Sequence, residues 1–142
     1  MSIDISEIRQ KIGRLSKERL ELERKILDVL SRKSLLKGSF VRKYKACNKK
    51  GCRCTKGELH GPFFYLSLRR AGKTRMIFVK KRDWSIVEEL SANYRAWRQN
   101  RAKIARINRQ ILALIDQMEG ERILGVSFLE ESSEKRREEE EQ

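Results

Sequence analysis

Three cysteines and one histidine, the chain's full complement of both, fall within fourteen residues: Cys47, Cys52, Cys54 and His60, spaced C-x4-C-x-C-x5-H. Three thiolates and an imidazole form a complete tetrahedral donor set for zinc. Many Lys and Arg surround them, which favours the thiolate, the form that binds metal. Gly51, Gly57 and Gly61 give the loops the backbone freedom to wrap an ion. The single-residue gap between Cys52 and Cys54 would point the two thiols apart in an extended strand, so coordination requires a tight turn there. Structural zinc is the leading reading of these four residues. Two alternatives are reduced, metal-free cysteines packed in a small sheet, and a cysteine nucleophile with His60 as base. The nucleophile reading lacks an orienting third group and a recognisable substrate pocket.

The same region carries the charge. The net charge is +14, and residues 38–82 hold fourteen Lys or Arg against one acid, Glu58, a local net of +13. Such a concentrated field attracts polyanions. Lys43, Lys45, Lys49, Lys50, Arg53, Lys56, Arg69, Arg70, Lys73 and Arg75 are the candidate phosphate contacts, and Tyr65, with Tyr44, Phe63 and Phe78, is a candidate stacking ring whose alternative role is core packing of the sheet. Six phosphate contacts would make affinity for DNA or RNA fall about 10³-fold between 50 and 200 mM salt. Gly72-Lys73-Thr74 resembles the end of a phosphate-binding loop, but Ser67 stands where that motif needs glycine.

The elements that position these residues follow from periodicity. Asp4 and Glu7 form a capping signal, and heptads from Ile5 place Ile5, Ile12, Arg19 and Ile26 at a with Ile8, Leu15, Leu22 and Val29 at d. A helix is expected from about Asp4 to Ser34, with Gly38 as its C-cap. From Ser39 the period changes, and Phe40–Ala46 suits a first strand. Pro62–Arg69 and Thr74–Lys80 suit a hairpin turning at Gly72, with Phe64, Leu66, Leu68, Ile77 and Val79 on the buried face and Phe63, Tyr65, Met76 and Phe78 on the other. Asp83 is the expected N-cap of a second helix that runs to Glu119, with Gly120 beyond. Its seam is expected at Val87, Tyr94, Arg101, Asn108 and Ile115 (a) and Leu90, Trp97, Ile104, Ile111 and Met118 (d).

The resulting expectation is an α+β protein: a long antiparallel helical hairpin, or coiled coil, with a small three-stranded antiparallel β head, zinc-stapled, at its tip, and Met1 near Gly120. The divisions are an N-terminal helix at 1–37, a basic Cys/His head at 38–82, a second helix at 83–120, and a short apolar segment with a charged tail at 121–142. Residues 130–142 carry seven Glu against three basic residues, and no function is placed on that tail. Near Leu112 the apolar face broadens beyond what one partner helix covers, so Ile123, Leu124, Val126, Phe128 and Leu129 fold back over it or a second copy does. The absence of a secretory signal, of any apolar run near the ~20 residues of a membrane span, and of an even cysteine count points to a reducing, cytoplasmic setting without membrane contact.

The run from Tyr44 to Leu66, with Gly72-Lys73-Thr74-Arg75, resembles a family of small basic, uncharacterised bacterial and archaeal proteins marked by C-x4-C-x-C-x5-H-G-P-x-x-Y-L between two long helices. The resemblance implies a domain of unknown function and supplies no activity. The composition itself points to a non-enzymatic nucleic-acid-binding protein. The alternative is a coiled-coil scaffold, homodimeric or joined to a protein partner, whose basic head docks an acidic surface. A cysteine-dependent enzyme is the third reading.

Overall fold

The computed structural model describes residues 4–142. In chain order it contains α1 (Ile5–Arg32), β1 (Ser39–Lys45), β2 (His60–Arg70), β3 (Lys73–Val79), α2 (Trp84–Arg122) and α3 (Ser127–Glu140), with short 3-10 turns at Arg53–Lys56 and Lys81–Asp83. The class is α+β, with two long helices and one three-stranded antiparallel sheet. The chain divides into two compact units, Met1–Arg19 with Ala105–Gln142, and Leu20–Ile104. The expected approach of Met1 to Gly120 lies outside the described residues.

In the Leu20–Ile104 unit the sheet order is β1-β2-β3. Phe64 pairs with Val79, Tyr65 with Phe78, Leu66 with Ile77 and Ser67 with Met76. This register sets Phe64, Leu66, Leu68, Ile77 and Val79 on one face as expected, but Ile77 is 52% exposed rather than buried, because β3 is an edge strand that is covered only at its Val79 end. Across the other seam Phe40 pairs with Leu66 and Val41 with Tyr65, so Phe40 joins the buried face. There Phe40 stacks on Phe64 at 4.8 Å, and Phe64 packs against Trp84 of α2 at 4.5 Å between ring centroids. The Trp84 indole N–H donates to the Val79 carbonyl at 3.0 Å, which ties the helix entry to the end of β3.

The hairpin turns at Ala71 and Gly72, with φ of 52° and 76°. Two positive φ values are what a two-residue hairpin loop of the right twist requires, and only Gly72 adopts one without a steric penalty.

Several boundaries differ from expectation. Gly38 is not the C-cap of α1, which ends at Arg32. It has φ +134°, and a Cβ there would meet Leu66 Cδ1 at 2.9 Å and the Ser67 carbonyl at 3.0 Å. The buried Ser91 hydroxyl donates to the Gly38 carbonyl at 2.8 Å, and the Leu36 amide donates to the Leu90 carbonyl at 3.1 Å. Gly38 is therefore the point where the connection passes under the sheet and against α2. Asp83, expected as an N-cap, closes the Lys81–Asp83 turn, and its carboxylate lies 3.7 Å from Arg82 Nε. Asp4 does cap: its Oδ1 accepts from the Ser6 amide at 2.8 Å. α2 also runs through Gly120 to Arg122, and the tail from Ser127 to Glu140 is helical.

Every expected seam position of α1 is buried or half-buried, but the α2 seam is rotated. Arg101, Asn108 and Ile115 are exposed, whereas Asn100, Ile107 and Leu114 are withdrawn from solvent beside Ile104, Ile111 and Met118. The reason is composition: that column offers Ile107 and Leu114 where the expected one offers Arg101 and Asn108. In the Met1–Arg19/Ala105–Gln142 unit the Arg19 guanidinium donates to Asn108 Oδ1 at 3.2 Å. Leu112, Ile115, Ile123, Leu124, Val126, Phe128 and Leu129 are all exposed, so the C-terminal segment does not cover the broad apolar face.

Candidate functional site

β1 ends at Lys45 and the chain then makes a compact loop before β2 begins at His60. Asn48 and Gly51, with φ of 59° and 80°, bend it, and the Cys52 amide closes onto the Lys49 carbonyl at 3.3 Å. Cys52 is extended and the next four residues, Arg53–Lys56, form a 3-10 turn that Gly57 ends in the left-handed region, φ 98°. This is the tight turn that the C-x-C spacing demands. Thr55 reinforces it, its amide and hydroxyl both donating to the Cys52 carbonyl, at 3.1 and 2.6 Å.

The turn brings all four candidate ligands together. The sulfur atoms and ring nitrogen of Cys47, Cys52, Cys54 and His60 lie within 4.8 Å of one another, Cys47 Sγ being 3.4 Å from Cys54 Sγ and Cys52 Sγ 3.1 Å from His60 Nε2. Four-coordinate zinc, with Zn–S near 2.3 Å, needs sulfurs about 3.8 Å apart. The cluster is thus close to a tetrahedral donor set and could bind a metal ion. Cys54 is buried, Cys52 half-buried, and Cys47 and His60 exposed. A cavity of about 540 Å³, lined by Gly51, Cys52, Glu58 and His60 among others, opens beside it.

The thiols are not equivalent. The Cys47 backbone amide, helped by hydrogen bonds from the Cys47, Cys52 and His60 side chains, outweighs burial and holds the Cys54 thiol at about 6, below its ordinary 9.0. For Cys47 the Lys49 amide pulls downward, but the Cys52 and Cys54 side chains, burial and the charge on Cys52 together keep it above 9.0. Of the two sulfurs in the 3.4 Å contact, Cys54 is the readier thiolate. Metal affinity should respond accordingly. Above about pH 6 the ion need not displace a proton from Cys54, whereas below it each unit of acidification costs at least one further tenfold in affinity. Competition with a chromophoric chelator between pH 5 and 8 should show a logarithmic affinity whose slope steepens by at least one below about pH 6.

The expected nucleic-acid-binding residues separate into three groups. Lys43, Tyr65 and Arg69 share the sheet face opposite the Phe64–Trp84 cluster, as the strand register requires. Lys45 joins them, its Nζ 4.6 Å from the Tyr65 ring centroid. Lys49, Lys50, Arg53 and Lys56 stand exposed on the Cys/His loop. Arg70, Lys73 and Arg75 sit at the hairpin end, in register with the other face. Phe78, exposed to 55%, meets Tyr65 edge to face at 5.7 Å and completes the open platform with Phe63 and Met76. Lys37, Arg95 and Arg98 stand near Arg69 around a cavity but were outside the expected site, because a charge count over residues 38–82 does not reach them.

Residues 5–90, comprising α1, the sheet, the Cys/His loop and the start of α2, match the model of a domain of unknown function, DUF6788. The chain belongs to the DUF6788 family. No curated protein matches it, and no solved structure does. The DUF6788 match encloses the whole Cys/His cluster and the whole sheet, so both belong to the family domain rather than to the segment that follows it. Among the described residues, no DUF6788 helix is long and apolar enough to cross a membrane.

Proposed function

We propose that this protein binds nucleic acid without catalysing a reaction, through the open face of its sheet, and that zinc held by Cys47, Cys52, Cys54 and His60 fixes that face. The observation that carries this reading is the composition of the face. Val41, Lys43, Phe63, Tyr65, Ser67, Arg69, Thr74, Met76 and Phe78 share it by register, Lys45 reaches it over the Tyr65 ring beyond a register shift, and none of these is an acid. Aromatic rings flanked by cations suit a single strand of DNA or RNA, since bases stack on rings whatever their sequence while the cations neutralise phosphates. Lys45 lies over Tyr65 and would move to a phosphate as a base takes its place on the ring.

Zinc is the ion the donor set favours, three soft sulfurs and one imidazole. Its contribution is structural: it joins the end of β1 to the start of β2 and holds Lys43 and Lys45 beside Tyr65. In this reading α1 and α2 form a coiled-coil arm carrying the sheet at its tip. The purified protein is expected to contain one zinc per chain by elemental analysis and to carry co-purifying nucleic acid, seen as a raised ratio of absorbance at 260 to 280 nm. A chain free of both would remove the support for this function.

A second reading, a protein-interaction role with homodimerisation through the helices, is favoured by the exposed apolar side chains at Leu112, Ile115 and along Ile123–Leu129. Light scattering decides it: a concentration-dependent dimer supports it, and a monomer at all concentrations counts against it.

A further inference from the structure

Four cations converge on one cavity of about 450 Å³ in the Leu20–Ile104 unit: Lys37 before β1, Arg69 on β2, and Arg95 and Arg98 on α2. Four hydroxyl-bearing residues, Ser39, Ser67, Thr74 and Tyr94, line it as well, and its lining contains no carboxylate. Among the described residues none of the four cations forms an ion pair. Arg69 donates to the Gly72 carbonyl at 3.4 Å, which holds its guanidinium at the hairpin end.

From this arrangement we infer a phosphate-binding pocket. Like charges from three separate segments repel one another unless an anion lies between them. Arginines three residues apart on a helix share one side of it, and each presents a planar fork that matches phosphate oxygens two at a time. Serine and threonine hydroxyls add neutral donors of the kind that commonly reach phosphate oxygens. The volume falls within the range of small-ligand sites, so a phosphate with its attached sugar is accommodated.

Four of the residues that line the pocket lie on the open sheet face. Ser39 pairs with Ser67 and Arg69 with Thr74, so all four belong to the same face as Tyr65 and Phe78. From Tyr65 to Arg69 is four residues along a strand, about 13 Å, or roughly two nucleotides of an extended strand. A strand stacked on Tyr65 and Phe78 would thus bring one of its own phosphates into the pocket. That assignment rests on the proposed nucleic-acid function, whereas the affinity for a phosphoryl group does not.

The test uses the full chain and the variant Arg95→Gln/Arg98→Gln, whose positions are exposed and lie outside the platform. Inorganic pyrophosphate is titrated while the backbone amide resonances of Ser39, Ser67 and Thr74 are followed. A (dT)15 strand is then titrated between 50 and 200 mM salt. The expected result is a saturable shift of the three amides that the variant loses, with the salt slope for (dT)15 falling by about 0.7, the value of one phosphate contact on a single strand. Pyrophosphate binding lost in the variant with an unchanged (dT)15 slope assigns the pocket to a free phosphoanion and overturns its place on the strand path. Pyrophosphate binding without any (dT)15 binding sinks the nucleic-acid reading and keeps the pocket. Amides unmoved by pyrophosphate in the unsubstituted protein overturn the inference outright, and unchanged spectra elsewhere in the variant confirm that its fold is intact.

Discussion

Replacing Cys54 by serine is expected to abolish metal binding and to unfold the region between β1 and β2. Within residues 39–79 only Cys54, Leu66 and Val79 are buried, so the sheet has little apolar core of its own. Metal binding to small zinc sites contributes an apparent 10–16 kcal/mol to folding, about as much as or more than the ~5–15 kcal/mol by which whole domains are stable. Loss of one ligand should therefore lower the zinc content from one per chain to none and collapse the amide resonances of residues 47–60 toward those of unfolded chain. Cys47→Ser and Cys52→Ser should act alike, because each removes one ligand of the proposed tetrahedral site, and His60→Ala should follow them. A nucleophile gives a different pattern, in which one variant folds normally, keeps its metal and fails only at chemistry. If Cys54→Ser retained stoichiometric zinc and an unchanged spectrum, the cluster would not be the staple of this fold.

The second large effect concerns the platform. Each aromatic ring that stacks on a base contributes about 1–3 kcal/mol, so Phe78→Ala should weaken binding of a single strand between about five- and 150-fold. Phe78 is the cleaner position because its ring is more than half exposed, and its removal leaves the buried face untouched. Tyr65→Ala should have a similar effect. The double variant should lose less than the sum, since the rings meet at 5.7 Å and share their surroundings. Neither change removes a charge, so the salt dependence should stay as steep as in the unsubstituted protein. Lys43→Ala should behave in the opposite way, with a slope reduced by about 0.7 and a smaller loss at low salt. Fluorescence anisotropy with labelled (dT)15 separates the two kinds of variant.

Much of this arrangement is legible in the residues themselves. The alternation of Phe64, Leu66 and Val79 with Tyr65 and Phe78 indicates the strand register, because only one pairing sets the first three on the covered face, whereas the exposure of Ile77 on the edge strand was not legible. The spacing of Cys47, Cys52, Cys54 and His60 implies a convergent donor set, and the single residue between Cys52 and Cys54 implies the turn that Arg53–Lys56 supplies. What was not legible depended on tertiary contact. Gly38 looks like a helix end from its neighbours, but its φ and the closeness of Leu66 give it another role. The α2 seam followed an a/d pattern through Trp97 and then turned, because burying Ile107 and Leu114 was favoured over burying Arg101 and Asn108. Arg95 and Arg98 carry no local signal at all: on a helix rim they resemble ordinary solvated charges, and only closure of the chain around Gly38 sets them opposite Arg69.

The claim that a basic, aromatic sheet face binds a nucleic-acid strand is tested most directly by titrating the unsubstituted protein with labelled (dT)15 at stepped salt. Contact with about six phosphates predicts saturable binding whose affinity falls about 10²- to 10³-fold between 50 and 200 mM. Binding that stays weak and non-saturable even at 50 mM would contradict it.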